Sequence, residues 1–290
     1  MPKARAPHPS RPTRVAFNAT KYGRDLLLDV AWVHAIPSFI LDAPHALEFF
    51  DIIVVTRGRG TFYLDAHRHT VRAGTVLFTT PGQVRRWKVE GLDGICLFFT
   101  AGFVTEFLRD DAFIDRLPYF QSDPARASLQ LAPGALRRVR SRLSAMNGEL
   151  ADLRRDSIEL LRAGLHETLI VLAREYASAH HVAPRRATHP IVSRFLTLVE
   201  RDVHRRHRVA EYARELGVSP GYLNVLCLTF TGTGAKDVIA AAIVARARRM
   251  LLYSTESVAR IAASLGFDDP SYFGRFFRRR TGQTPASFRS

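Results

Sequence analysis

A nine-residue pattern occurs twice in the last third of this chain. Residues 209–217 read VAEYARELG, and residues 258–266 read VARIAASLG, 49 positions further along. After each copy come a Ser or Asp and a proline, at Ser219-Pro220 and Asp269-Pro270, and then a second apolar-periodic run that ends in Thr-Gly. A short helix, a glycine-containing turn and a capped second helix follow one another in this order in a helix-turn-helix. The repeat therefore predicts two helix-turn-helix units in an all-helical segment.

The positive charge of the chain is concentrated around this repeat. The chain has 42 Lys and Arg residues against 27 Asp and Glu, a net charge of +15. Residues 190–290 hold 16 basic and 8 acidic residues, residues 1–24 contribute a further +6, and the stretch between them is almost neutral. A basic segment attracts polyanions. Together with the repeat, this distribution favours a DNA-reading protein over one that is basic only for solubility.

Three further features restrict the class of protein: the cysteines, the apolar runs and the N-terminus. Cys96 and Cys227 are the only cysteines and each lies in an apolar run, so a disulfide framework is not implied and a reducing compartment fits. No apolar run approaches the roughly 18–20 residues of a membrane span. The basic N-terminus has no signal-type apolar segment before Leu26. We therefore expect a cytoplasmic protein with no membrane partner.

Two different periodicities fill the rest of the chain. Residues 26–99 read as short strands separated by turn signals, among them Arg57-Gly58-Arg59-Gly60, and this pattern favours a β-barrel or jelly roll. Residues 133–176 have apolar positions at helical spacing, in two helices broken near Asn147-Gly148. Their apolar stripes are wide enough to pack on the barrel and to face another subunit.

These patterns predict an α+β chain of two domains. Residues 1–24 are expected to form a basic, disordered arm, and residues 25–180 a β-barrel followed by dimerisation helices. Residues 181–189, polar and rich in His and Arg, are the expected linker. Residues 190–290 are expected to form the all-α domain with the two helix-turn-helix units.

The second helix of the second unit has one apolar and one polar face. Phe273, Phe276 and Phe277 share a face and are expected in the core. Arginine can bind guanine bidentately in the major groove, and small neighbours let a helix seat deeply there. The opposite face, which we expect to read bases, carries Ser271, Gly274, Arg275 and Arg278. For an isolated helix, a solvated basic face would be the simpler interpretation.

The equivalent helix of the first unit has no positive charge. Its exposed side is predicted to carry Gly221, Asn224, Val225 and Leu228. Asn224 could bond adenine and Val225 could touch a thymine methyl group, or the helix could dock on DNA and read little. Between the units, residues 238–252 form a predicted long helix that fixes their spacing. Basic side chains available to phosphate are Arg246, Arg248, Arg249 and Arg279.

The predicted barrel offers one weak metal pattern and one stronger pattern for an organic anion. His67 and His69 flank Arg68, but no third or fourth ligand follows at a suitable spacing, so no metal and no cofactor is expected. Arg85 and Trp87 share a strand face by the period of two, and a buried Arg beside aromatic rings suits a carboxylate. The expected effector-binding residues are Phe50, Ile52, Arg85 and Trp87. A surface position for Arg85 is the alternative.

Residues 251–277 and 281–289 closely resemble the AraC/XylS family of bacterial transcription regulators. The stretches Gly58-Arg59-Gly60, Ala73-Gly74-Thr75 and Pro81-Gly82-Gln83-Val84 resemble its cupin-type effector domain. Residues 219–224 and 117–120 are similar to the branch that contains activators of 4-hydroxybenzoate catabolism. The resemblance implies a cupin-like sensory barrel, a dimerising region and two helix-turn-helix units on successive major grooves.

By matching positions, the resemblance assigns base reading to Gly221, Asn224, Val225, Ser271, Gly274 and Arg275. The family commonly has Arg or Lys where this chain has Val225 and Leu228, and commonly has His where Arg85 stands. We therefore expect a non-enzymatic, ligand-responsive activator, a homodimer whose partners are double-stranded promoter DNA, a small-molecule effector and RNA polymerase. The alternatives are a cupin-type metalloenzyme with a DNA-binding tail and an architectural DNA-binding protein without an effector.

Overall fold

The computed structural model describes residues 12–23, 25–36, 43–110, 113–120, 124–181 and 189–289. Within these residues the chain forms two domains, an N-terminal domain up to residue 181 and a C-terminal domain from residue 189. Most of the predicted linker, 182–188, lies outside the described residues, as do residues 1–11 and Arg24 of the predicted arm.

The N-terminal domain is built on one sheet of eight strands among the described residues. In chain order they are β1 (Thr13–Val15), β2 (Leu28–Trp32), β3 (His45–Leu47), β4 (Phe50–Leu64), β5 (His67–Val71), β6 (Thr75–Thr79), β7 (Val84–Phe99) and β8 (Ser128–Gln130). The main path runs β1-β3-β7-β4-β6-β8, with β2 added to β7 and β5 added to β4. A β-rich domain before a helical one is what the sequence predicts, and this is confirmed.

Part of the predicted disordered arm forms a strand. Residues 13–15 form β1, which pairs in parallel with β3 in the register Thr13 to His45. The expectation of disorder up to residue 24 is therefore wrong for residues 12–23. The basic, Pro-rich composition gave no sign of this strand, because it is stabilised by a pairing partner about thirty residues away.

The glycines at 58 and 60 do not form the predicted turn. β4 passes through them and pairs with β7 on both sides of the register shifts between Val55 and Arg59. Gly58 has a φ of +120°, and a Cβ atom on Gly60 would lie 2.1 Å from the Lys88 carbonyl oxygen. Glycine is required here by a bulge and a close backbone approach rather than by a turn.

Three α-helices are found among the described residues of the N-terminal domain: α1 (Ala101–Leu108), α2 (Pro133–Ala151) and α3 (Ser157–His180). The two helices predicted for residues 133–176 are present, but the break between them lies at residues 152–156 rather than at Asn147-Gly148, since α2 continues to Ala151. The Asn147 side chain donates to the Val30 carbonyl oxygen at 2.6 Å, so this residue holds the helix against β2.

The two faces of the sheet pack into different apolar clusters. Ile52 and Val54 on one face of β4 pack with α1, α2 and α3, in a cluster that also holds Tyr119 from the segment 117–120. Ile53 and Val55 on the other face pack in a separate cluster, whose larger members include Phe62, Leu64, Leu77, Trp87 and Cys96. This second cluster contains Ile53 and Val55 from the first part of β4 and Phe62 and Leu64 from its last part. The sheet therefore folds over the cluster.

The C-terminal domain contains seven helices among its described residues: α4 (Pro190–Asp202), α5 (Val209–Glu215), α6 (Pro220–Thr231), α7 (Ala235–Tyr253), α8 (Val258–Ser264), α9 (Pro270–Thr281) and α10 (Pro285–Arg289). They share one apolar core, whose fully buried aromatic members are Phe195, Tyr212, Phe273 and Phe277. The two predicted helix-turn-helix units are confirmed as α5–α6 and α8–α9, with α7 as the predicted helix between them.

Candidate nucleic-acid interface and ligand site

The second helix of each helix-turn-helix begins and ends in the same way. Ser219 Oγ accepts a hydrogen bond from the Tyr222 amide at 3.1 Å, and the Asp269 carboxylate accepts from the Ser271 and Tyr272 amides at 2.7 and 3.1 Å. These caps satisfy amides that the first turn leaves without a helical partner. At the C-terminal ends, Gly232 and Gly282 take left-handed conformations with φ of +72° and +79°.

The predicted reading face of the second unit is accessible. On α9, Phe273 and Phe277 are buried, and Phe276 is half-buried beside them. Ser271, Arg275, Arg278 and Arg279 are exposed, and Gly274 is half-buried. The Arg275 guanidinium lies 3.7 Å from Asp269 and 5.9 Å from the centre of the Tyr272 ring, so a nearby carboxylate and ring orient it. This face can present two arginines to base edges, as expected.

The first unit differs from its prediction at Asn224. Its side-chain oxygen accepts a hydrogen bond from the Ala235 amide at 3.1 Å, at the start of α7. A bidentate contact to adenine needs the amide oxygen and nitrogen together. In this structure the Asn224 side chain is held against α7, which favours the alternative that the helix docks on DNA and reads little at this position. Gly221 and Val225 are exposed as predicted.

The predicted phosphate-contacting arginines on α7 are not equivalent. Arg246 is exposed, whereas Arg248 and Arg249 are half-buried. The Arg248 guanidinium lies 5.6 Å from the centre of the Phe288 ring, so part of its role is to pack α10 against α7. Sequence reasoning missed Arg280, which pairs with Asp237 of α7 at 2.8 Å and joins the second reading helix to α7.

A group of arginines at the α4–α5 connection is internally neutralised. The buried Asp202 carboxylate accepts from Arg201 and Arg205 at 2.8 Å each, and Arg206 pairs with Glu215. The hydrogen bond from Arg201, with those from its neighbours, holds the pKa of Asp202 well below its usual range. The number of arginines in the domain therefore overstates how many are available to DNA.

Arg85 is buried, as predicted, but it already has an anionic partner within the chain. Its side chain is 4% exposed, and its guanidinium pairs with Asp51, which is fully buried. Arg85 Nε donates to His45 Nε2 at 2.8 Å, and Thr79 Oγ1 donates to Asp51 at 3.4 Å. Burial lowers the pKa of Arg85 to about 10, so it stays charged at neutral pH.

The fixed tautomer of His45 completes this buried network. Because Nε2 accepts from Arg85, Nδ1 carries the hydrogen and donates to the Ala43 carbonyl oxygen at 3.0 Å. Burial, and then the positive charge of Arg85, lower the pKa of His45 to about 4. The interpretation of Arg85 as the charge partner of an effector is therefore wrong: its ion pair joins β7 to β4, and its bond to His45 joins β7 to β3.

The other predicted effector residues do not converge. Phe50 and Ile52 belong to the helix-covered side of the sheet, where Phe50 lies 4.8 Å from the Phe120 ring centre. Trp87 belongs to the opposite cluster and lies 4.5 Å from Phe62. The prediction of one site lined by all four residues fails because Ile52 and Trp87 lie on opposite faces of the sheet.

Trp87 lines a groove of about 650 Å³ on β4 and β7. Its indole Nε1 is buried and has no hydrogen-bond partner among the described residues. Two of the residues that line it, Arg59 and Lys88, are exposed cations. Sequence reasoning missed both, because neither lies in an apolar pattern. The complete lining is Arg59, Gly60, Thr61, Tyr63, Trp87, Lys88, Val89, Glu90 and Leu92.

His67 and His69 find no further metal ligands in the described structure. The buried His69 has its Nδ1 at 3.1 Å from Ser128 Oγ. No group of three or more His, Cys, Asp or Glu side chains is placed to hold a metal ion within the described ranges. In the same residues, no single helix is long and apolar enough to cross a membrane.

The two domains match two different family models in chain order. One, described as an AraC-like ligand binding domain, matches residues 39–174. The other, described as a helix-turn-helix domain, matches residues 212–290. The first match covers strands β3 to β8, helices α1 and α2 and most of α3, and the second covers most of the C-terminal domain.

Individual relatives of the chain are transcription regulators. The chain is 34% identical over 121 residues to the HTH-type transcriptional regulator GlxA of Rhizobium meliloti, over 39% of this chain but only 37% of that relative. It is 20% identical over 263 residues to the HTH-type transcriptional activator RhaR of Mannheimia succiniciproducens, over 89% of each chain. The solved structure of ToxT from Vibrio cholerae is 13% identical, covers 90% of this chain and 97% of its own, and has a TM-score of 0.41. The chain is an AraC-type transcriptional regulator, with an N-terminal ligand-binding domain and a C-terminal helix-turn-helix DNA-binding domain.

Proposed function

We propose that the protein activates transcription when a small organic anion, an aromatic carboxylate, binds the groove beside Trp87. Two observations carry this proposal: the buried indole N–H of Trp87 has no partner among the described residues, and Trp87 lines a groove with Arg59 and Lys88. A buried donor without a partner costs free energy that a ligand oxygen would recover. The groove lining has two cations, Arg59 and Lys88, and one carboxylate, Glu90. Its net positive charge favours an anionic ligand.

The aromatic part of the ligand is supported by the ring of Trp87, since aromatic faces stack on one another. The Tyr63 ring, which also lines the groove, is already covered by the Arg86 guanidinium at 4.7 Å. The resemblance of residues 219–224 and 117–120 to activators of 4-hydroxybenzoate catabolism suggests hydroxylated benzoates as first candidates. Arg85 has no part in this proposal, because Asp51 already neutralises it.

The response to the ligand is proposed to be a shift between existing poses of the DNA-binding domain in a homodimer. Leu160 on α3 is 56% exposed and Phe107 on α1 is 45% exposed, so these helices offer apolar surface to a second subunit. Exposed apolar surface of this kind favours an interaction site. We propose promoter DNA and RNA polymerase as the other partners, in the cytoplasm.

A titration of single-tryptophan protein tests the ligand site. In Trp32→Phe protein, Trp87 is the one remaining tryptophan, so its emission reports the groove. We expect a benzoate found by a melting-temperature screen to change this emission and to bind less tightly to Lys88→Ala and Arg59→Ala variants. Arg68→Ala is the matched control, because Arg68 is an exposed arginine of β5 outside the groove. Equal affinity in all variants would contradict the proposed site.

The enzyme alternative predicts a different result from the same protein. A cupin-type metalloenzyme would retain stoichiometric zinc or iron after purification, and elemental analysis detects either. A bound metal together with turnover of the screened ligand would replace the regulator proposal. We expect neither.

A further inference from the structure

The exposed face of α6 is apolar at the positions where the exposed face of α9 is cationic. Tyr222, Val225 and Leu228 are 48%, 57% and 50% exposed. Residues 218–235, which contain the whole of α6, include no charged residue. Large apolar side chains on an exposed helix face usually mark a contact surface.

The two helices are equivalent position by position. Both have a capped start, a left-handed glycine at the end, and a threonine that bonds the carbonyl four residues back, at 2.8 Å in each case. Each helix has a tyrosine in its first turn, and the residue after it, Leu223 or Phe273, is buried. This register places Val225 where α9 has Arg275, and Leu228 where α9 has Arg278. The apolar face of α6 therefore occupies the DNA-facing position of its own helix-turn-helix.

Two polar side chains near this face already have partners. Asn224 Oδ1 is bonded to the Ala235 amide, and Thr229 Oγ1 donates to the Val225 carbonyl oxygen at 2.9 Å. Gly221 has no side chain. The largest exposed groups on this face are the methyl groups of Val225 and Leu228 and the ring of Tyr222. In the major groove the apolar group on a base edge is the C5-methyl of thymine.

We propose that the first helix-turn-helix recognises thymine methyl groups through Val225 and Leu228, while the second recognises its bases through Arg275 and Arg278. The inference rests on the proposed function and specifies its DNA target. The half-site under α6 then contains thymines at fixed positions.

DNA is favoured over an apolar protein partner as the occupant of this face. Exposed cations precede and follow α6 in the chain, Arg214 on α5 and Lys236 at the start of α7. Cations beside a reading helix bind phosphate and fix its register. An apolar protein surface would gain nothing from them.

The test uses full-length protein and a duplex selected from a random library. Replacing a thymine by deoxyuridine removes the methyl group and leaves every hydrogen-bonding group of the base pair unchanged. For wild-type protein we expect a loss of about fourfold in affinity per contacted methyl, the factor for removing one buried CH2-sized group. In Val225→Ala or Leu228→Ala protein, the loss at one of these thymines should disappear.

The second half-site provides the control. Deoxyuridine placed there should have the same effect on wild-type and Val225→Ala protein, since Arg275 and Arg278 contact that half-site. The proposal is overturned if deoxyuridine in the first half-site costs nothing, or if Val225→Ala leaves that cost intact. It is also overturned if both variants keep the full sequence preference and lose only activation, which would assign the face to a protein partner. If wild-type protein selects no sequence at all, the proposed function fails and this inference fails with it.

Discussion

The buried ion pair between Arg85 and Asp51 gives the sharpest stability prediction. Removing the carboxylate with Asp51→Ala leaves a guanidinium that is 4% exposed without an anion, and breaking such a buried pair costs about 3–5 kcal/mol. Arg85→Ala should cost a similar amount, because the fully buried Asp51 is then unpaired. The double replacement Asp51→Leu with Arg85→Met removes both charges together. It still leaves His45 Nε2 without its donor, at about 1–3 kcal/mol.

We therefore expect the double variant to be more stable than either of its component single variants, Asp51→Leu and Arg85→Met, by about 1–3 kcal/mol. Urea denaturation followed by tryptophan emission is the assay. Trp32 and Trp87, the two tryptophans of the chain, both lie in the N-terminal domain, so the emission reports that domain alone. A double variant as unstable as the sum of the two single variants would refute the coupling. A cost below about 1 kcal/mol for Asp51→Ala would show that Arg85 does not depend on this partner.

Three further predictions follow from the same contacts. The pKa of His45 is about 4 in the folded chain against 6.5 when unfolded. Because the unfolded chain takes up the proton first, the free energy of unfolding should fall as the pH is lowered from 6.5 to 4. In urea titrations, His45→Gln should flatten this dependence. Asn224→Ala should lower the stability of the C-terminal domain by about 1 kcal/mol, because it removes a cap of α7, and calorimetry that finds no change would contradict this. Arg275→Ala should cost about 1–3 kcal/mol at the selected site and relax one base pair of specificity, whereas Arg249→Ala should weaken binding to all duplexes alike in anisotropy titrations.

The helix-turn-helix units could be predicted because their determinants are local. Ser219 and Asp269 act on amides two or three residues away, and Gly232 and Gly282 close the same helices. Each signal lies within a dozen residues of the element it controls. The reading face of α9 follows from the same helical period, which is why Arg275 and Arg278 were placed on the exposed side.

Features decided by distant contacts could not be predicted in this way. Gly60 reads as a turn residue, but the Lys88 backbone that approaches it is on another strand. Asn147 beside a glycine reads as a break, but its partner is the carbonyl of Val30, 117 residues away. The strand period of Arg85 leaves an interior and a surface position open, and the structure shows the interior one. Its partner Asp51, 34 residues earlier, has no signature in the sequence.

The central claim is sequence-specific DNA binding by the C-terminal domain, and competition at increasing salt tests it most directly. Full-length protein is titrated with a duplex selected from its own genomic DNA, and with a scrambled duplex of the same length and composition. We predict at least about 10³-fold tighter binding to the selected duplex and a steep loss of affinity for both duplexes as salt rises. Arg275→Ala should reduce the preference more than it reduces binding to the scrambled duplex. Equal affinity of the wild-type protein for the two duplexes would contradict the claim.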